Sequence, residues 1–148
     1  MASNFATAMK ALTVEFEKTT AHHVVLSFGS TGKHYAQIKN GAPFDVFMAA
    51  DIERPRLLET QGLAQTDSRM TYARGKLILW TSKSGIDDIK NTLLIGKDFR
   101  HLAVANPKLS PYGLAAQQVM IKLDVWPRLQ PKLVRGENIA QTFQFVHS

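Results

Sequence analysis

The chain has 148 residues, 45% of them hydrophobic and 20% charged, the balance of a globular protein built as one domain or two small lobes. No stretch reaches the ~18 continuous apolar residues of a membrane helix, and the absence of cysteine excludes disulfides, cysteine-based zinc sites and thiol nucleophiles. A formal charge of +6 favours anionic partners in general, but the cations are scattered from Lys10 to Arg135 with no run of five, unlike the concentrated face or arm of a nucleic-acid binder.

In chain order, residues 5–18 read as an amphipathic helix. Phe5, Met9, Leu12 and Phe16 recur at helical spacing, and Ser3 or Asn4 is placed to cap it. The apolar, β-branched run from His23 to Phe28 predicts a buried strand. Gly29 to Gly32 turns into a helix over residues 32–40, closed by Asn40-Gly41. Phe44 to Ala49 predicts a second strand, followed by a helix over 53–61 that stops at Gly62, and Lys76 to Thr81 predicts a third strand. Residues 82–97 carry no decisive pattern. Leu102 to Ala105 predicts a fourth strand, ended by Asn106-Pro107, and Gly113 to Leu123 a long amphipathic helix. Leu133-Val134 predicts a brief strand and Asn138 to Val146 a last helix. Strands alternating with helices give an α/β fold with parallel pairing.

Four stretches have the polar composition of a helix start: Ser3-Asn4-Phe5, Ser30-Thr31-Gly32-Lys33, Ser110-Pro111-Tyr112-Gly113 and Glu137-Asn138-Ile139. A helix N-terminus carries unsatisfied N–H groups and the positive end of the helix dipole, which suits an anion. Singly, each has a plain structural reading: capping for Ser30, Thr31 and Asn138, a surface turn for Tyr112, a core position for Ile139. Together they suit a single oxyanion, since ligands of open α/β sheets sit where strands feed helix N-termini.

Other chemistries find no support. Gly29 to Lys33 lacks the four residues that a phosphate-binding loop places between its first glycine and its Gly-Lys pair. His22, His23, His34, His101 and His147 form no metal-binding pair, and there is no G-x-S-x-G nucleophile elbow. An enzyme has no residues to rest on.

The segments SNFATAMKALTVEF, VVLSFGSTGKHYAQIKNGAPFDVFMAAD, LAVANPKLSPYGLAAQ and PKLVRGENIAQTFQFV resemble, in collinear order, the molybdate-binding proteins of bacterial ABC importers. The resemblance implies a two-lobed periplasmic-binding-protein-like fold, its parallel-rich sheets flanked by helices. Such proteins catalyse nothing and need no cofactor. They clamp molybdate or tungstate between the lobes, the metal bound only as its oxyanion, and deliver it to an ABC permease in the membrane. Carried over by position, the oxyanion contacts fall on Ser3 and Asn4, on Ser30 or Thr31, on Tyr112, and on the backbone N–H of Ile139 beside Asn138. Lobe one then holds residues 1–75 and lobe two residues 76–148.

The same resemblance leaves a strand expected before Ser3 and a further strand of lobe two, in many members carrying another tyrosine ligand, expected after residue 148. The chain therefore reads as an internal fragment of a longer protein or a truncated gene product starting at an internal Met, incomplete at both termini, with sheet edges that invite self-association. Periplasmic location is implied by the family, although MASNFATAMK lacks the basic start and apolar run of a signal peptide. Two other readings are a ligand-sensing domain of a transcription regulator, which would carry a helix-turn-helix or linker, and a basic nucleic-acid-binding module. No nucleic-acid partner is expected from the scattered charge.

Overall fold

A computed structural model describes residues 1–84, 88 and 99–147. The chain divides into two compact units, Met1–Met70 and Thr71–Ser148, whereas the sequence placed the division after residue 75.

The first unit begins with a 3-10 turn, Ser3–Phe5, that runs into helix α1 (Ala6–Thr19). The expectation that Ser3 or Asn4 caps α1 is corrected here: the cap position is Phe5, which offers no side-chain acceptor. The reason lies in the residue before. Ala2 forms an isolated parallel bridge with Gly29, and Ser3 donates its N–H to the Gly29 carbonyl at 3.0 Å, so the chain needs a tight turn before it can enter α1. Helix α2 (Thr31–Lys39) starts one residue earlier than its pattern suggested, and Gly41 leaves it with φ +84°. That left-handed conformation is cheap only without a Cβ. Helix α3 (Glu53–Thr60) packs on α2 and stops before Gly62, at φ +68°.

The strands expected at 23–28 and 44–49 are not in a ladder. Met1 to Ser3 ties their ends together: Ala2 donates to the Met48 carbonyl at 3.0 Å, and Gly29 donates to Met1 at 3.1 Å. Pairing stops there, and Val25 and Val46 stand 86% and 75% exposed. An apolar run tells only that a segment suits burial; a strand exists when a neighbour accepts its hydrogen bonds.

In the second unit, strands β1 (Leu102–Ala105) and β2 (Leu133–Gly136) pair in parallel, with Leu102 opposite Leu133 and Ala105 opposite Gly136. Helix α4 (Pro111–Lys122) follows β1. A short helix α5 (Trp126–Leu129) and a 3-10 turn (Gln130–Lys132) lead into β2, and α6 (Ile139–His147) follows it. Neither α5 nor that turn is apparent from the sequence, because Pro127 and Pro131 read as breakers. Both sit in the first turn of their elements, where a missing N–H costs nothing. The core is Val104, Met120, Val125 and Leu129, flanked by Phe99, Leu102, Ala116, Trp126 and Leu133. Each fully buried aliphatic side chain contributes about 1.5–3 kcal/mol.

The third expected strand, 76–81, also lies outside any ladder, and its Trp80 instead stacks on Phe143 of α6 at 4.8 Å between ring centroids. Most of the undecided stretch 82–97 lies outside the described residues.

Candidate functional site

Three of the four expected starts are α-helical N-termini and one is the short 3-10 turn, and each unit brings two of them together. In the first unit, the bridge between Ala2 and Gly29 sets the following residues, Ser3 and Ser30, beside each other. Ser30 is the N-cap of α2, its hydroxyl oxygen accepting from the Lys33 N–H at 3.3 Å. The Thr31 hydroxyl oxygen accepts from the Ala50 N–H at 3.1 Å. A hydroxyl that accepts keeps its own proton to give. Both residues are buried, Thr31 at 1% exposure, whereas Asn4 is exposed. Beneath them lies His34, 3% exposed, with its ring nitrogens 3.0 Å from Gln37 Oε1 and 3.1 Å from the Met1 carbonyl. Burial, and then the positive N-terminus, hold its pKa below the ordinary histidine value.

In the second unit the parallel register does the corresponding work. Ala105 and Gly136 are partners, and Asn106 donates to the Gly136 carbonyl at 2.7 Å, so both strands end level. The helices that follow therefore start from the same end of the strand pair. Leu114 is the first residue of α4 to donate back, to Ser110 at 3.1 Å, so the turn holding Tyr112 directs its N–H groups out of the helix end. Gly113 rests directly on β1: a Cβ there would lie 2.0 Å from the Ala105 carbonyl oxygen. Ser110, the N-cap, is buried and makes no capping bond through its side chain.

Asn138 caps α6. Its Oδ1 accepts from the Gln141 N–H at 3.0 Å, while Gln141 Oε1 accepts from the Glu137 N–H at 2.7 Å, a reciprocal arrangement close to a capping box. The first donation back along the helix comes from Thr142 to the Asn138 carbonyl, at 3.1 Å, which leaves the Ile139 N–H without an acceptor within α6.

Thus Ser3 and Asn4 adjoin Ser30 and Thr31 in one unit, and Tyr112 shares a strand end with Asn138 and Ile139 in the other. None of these residues is cationic, and none lines the shallow cavity along α2 formed by Lys33, Ala36, Gln37, Asn40, Gly41 and Ala42. Among the described residues there is no group of His, Asp and Glu side chains able to hold a metal ion, and no helix long and apolar enough to cross a membrane. Sequence reasoning missed the reciprocal partner Gln141, although an amide three residues after a cap is its recognisable signal.

The chain as a whole has counterparts among known proteins. The sequence pattern of bacterial extracellular solute-binding proteins is matched over residues 1–148. The chain belongs to this family. Among solute-binding relatives, it is 50% identical over 146 residues to the molybdate-binding protein ModA of Azotobacter vinelandii, covering 99% of this chain and 58% of that one. It is 43% identical to ModA of Rhodobacter capsulatus, covering 98% and 57%. The solved periplasmic molybdate-binding protein of Azotobacter vinelandii superposes with a TM-score of 0.92 at 43% identity, over 98% of this chain and 64% of that structure. The fold is therefore the α/β fold of periplasmic binding proteins. The chain spans a little under three fifths of the length of the curated relatives it matches.

Proposed function

We propose that this chain binds a tetrahedral oxyanion, molybdate or tungstate, as the carrier part of a bacterial ABC importer that acts in the periplasm and passes the anion to a membrane permease. The observation that carries the reading is the pairing of helix starts within each unit, with hydroxyl, amide and backbone donors and no cation among them. The molybdate-binding proteins it resembles support the choice of anion. Ser30, Thr31, Ser3 and Asn4 give hydroxyl and amide donors; Tyr112 gives its phenol and neighbouring backbone; Ile139 gives its N–H, held in place by the Asn138 cap.

Neutral donors are strong enough for this task. A hydrogen bond to a charged group contributes about 1.5–3 kcal/mol, and a partly buried helix end up to ~2 kcal/mol. Sub-micromolar binding needs roughly 8 kcal/mol net of ordering costs, which five or six such bonds supply. They also suit release, since no ion pair has to be broken. A fully ionised dianion accepts from every donor, whereas protonated phosphate presents an O–H to a donor and loses a bond. Sulfate has the same charge with shorter bonds, so it is told apart by size.

Calorimetric titration with molybdate, tungstate, sulfate and phosphate tests the reading. Molybdate and tungstate are expected to bind at least tenfold more tightly than sulfate, a difference of about 1.4 kcal/mol. Thr31→Ala and Tyr112→Phe, one from each unit, are each expected to weaken binding. Equal affinities for all four anions, or none, would overturn it.

A further inference from the structure

Among the described residues, Gly75 is the glycine whose bare Cα faces the side chain of a candidate ligand, Tyr112. A Cβ built on Gly75 would lie 2.3 Å from the Tyr112 hydroxyl oxygen and 3.2 and 3.7 Å from its Cζ and Cε1. Among the described residues those three atoms are its nearest neighbours outside the adjoining chain, and all belong to one side chain. At Gly113 and Gly136 the close approaches include backbone atoms of Ala105, Asn106, Asn138 and Thr142, which is the signature of helix-to-strand packing. Gly41 and Gly62 are set apart by positive φ, and Gly75 is not. Neither packing of backbone on backbone nor backbone conformation explains a glycine at 75. The phenol does.

Tyr112 is thereby fixed at two points. Its Cα is set by the neighbouring Gly113, which lets α4 settle on the end of β1. Its hydroxyl lies against the bare Cα of Gly75, in the exposed segment that opens the second unit. Tyr72, three residues earlier, feels the same phenol: its pKa is raised first by burial and then by Tyr112.

We propose that Gly75 is a positioning residue for the oxyanion site, its missing side chain forming the seat that holds the Tyr112 hydroxyl where it can donate to the anion; this rests on the reading of Tyr112 as an oxyanion contact. Gly75 is solvent-exposed, so a methyl group there meets no core, and its cost falls on the phenol rather than on folding.

The test has a ligand-free arm and a binding arm. In protein labelled at tyrosine 13Cζ, the three tyrosines Tyr35, Tyr72 and Tyr112 give separate resonances, and Tyr112→Phe assigns the third. Gly75→Ala is expected to move the Tyr112 resonance, to leave Tyr35 in place, and to leave the thermal midpoint within a degree or two. In the binding arm, Gly75→Ala is expected to weaken molybdate affinity about tenfold, the size of one hydrogen bond to a charged group. In a Tyr112→Phe background the same substitution is expected to change affinity less than about twofold, because the hydroxyl it displaces is gone. An unmoved Tyr112 resonance overturns the seat. A moved resonance with parental affinity, where Tyr112→Phe does weaken binding, overturns its role in binding. Parental affinity in Tyr112→Phe overturns instead the assignment of Tyr112 to the oxyanion, and the ligand-free resonance tells that failure apart from a failure of the seat.

Discussion

At the scale of single residues, glycine at 113 and threonine at 31 do work that composition does not reveal. Replacing Gly113 by Ala drives a methyl group into the Ala105 carbonyl, 2.0 Å away, and backbone cannot swing aside as a side chain can. The usual gain of about 1 kcal/mol in helix propensity is outweighed by overpacking of ~1–3 kcal/mol or more. Gly113→Ala is therefore expected to lower unfolding stability by at least about 1 kcal/mol in urea titration, and a variant as stable as the parent would refute the contact. Thr31 has a different burden. Thr31→Val keeps its shape but orphans the Ala50 N–H, at a cost of about 1–3 kcal/mol. Thr31→Ser restores the acceptor and is expected to recover most of that loss in the same titration.

At the scale of elements, α2 joins its capped start to a buried ring. His34 has a folded pKa lowered from 6.5, mainly by burial, so the folded state prefers the neutral imidazole. Its contribution to stability is complete above pH 6.5 and is lost as pH falls from there through the folded pKa. Thermal midpoints are expected to fall between pH 7 and 5, and His34→Gln to flatten that slope. This range lies above that of Glu53 and Glu59, whose pKa values are lowered by hydrogen bonds from Arg56 and Arg69. A slope unchanged in the variant would remove His34 from the account. Helix α6 offers a complementary case. Asn138→Ala deletes a cap worth about 1 kcal/mol and frees Gln141, so stability is expected to fall, and on the proposed assignment of Ile139 to the oxyanion molybdate binding is expected to weaken with it.

The helices were readable because their signals are local. The Ser30 cap, Gly41 and Gly62 each act within a turn of themselves, and the element bounds fall within a residue or two of the pattern. Three of the five expected strands, at 23–28, 44–49 and 76–81, were not readable as ladders, because pairing is a relation between distant segments. Leu102 to Ala105 became a strand because Leu133 to Gly136 lies beside it. For the candidate site, the sequence pointed to the helix starts, and the family resemblance supplied the anion. Nothing local to Gly75 announced the phenol 37 positions further on.

At the scale of the whole molecule, the +6 charge and the apolar surface pull in opposite directions. Val25, Val46 and Ile78, all in segments outside any ladder among the described residues, are 86%, 75% and 76% exposed. Such edges template further pairing unless charge keeps copies apart. Raising the salt screens that repulsion over the ~10 Å Debye length at 0.1 M and less at higher salt. Sedimentation velocity is expected to show association that grows with protein concentration and with salt, and that Val25→Lys with Ile78→Lys suppresses. A species whose mass is independent of both would show the edges to be inert.

The level ending of β1 and β2 has an evolutionary corollary. One strand residue is a step of about 3.3 Å, larger than the whole tolerance of a hydrogen bond, and it also turns every later side chain to the opposite face. A single deletion between Leu133 and Gly136 would thus shift the start of α6 out of step with α4 and reverse Gly136 against Thr142. Length variation among descendants should accumulate upstream of Leu102 and spare the stretches from each strand into its helix, making spacing there a more durable inheritance than residue identity.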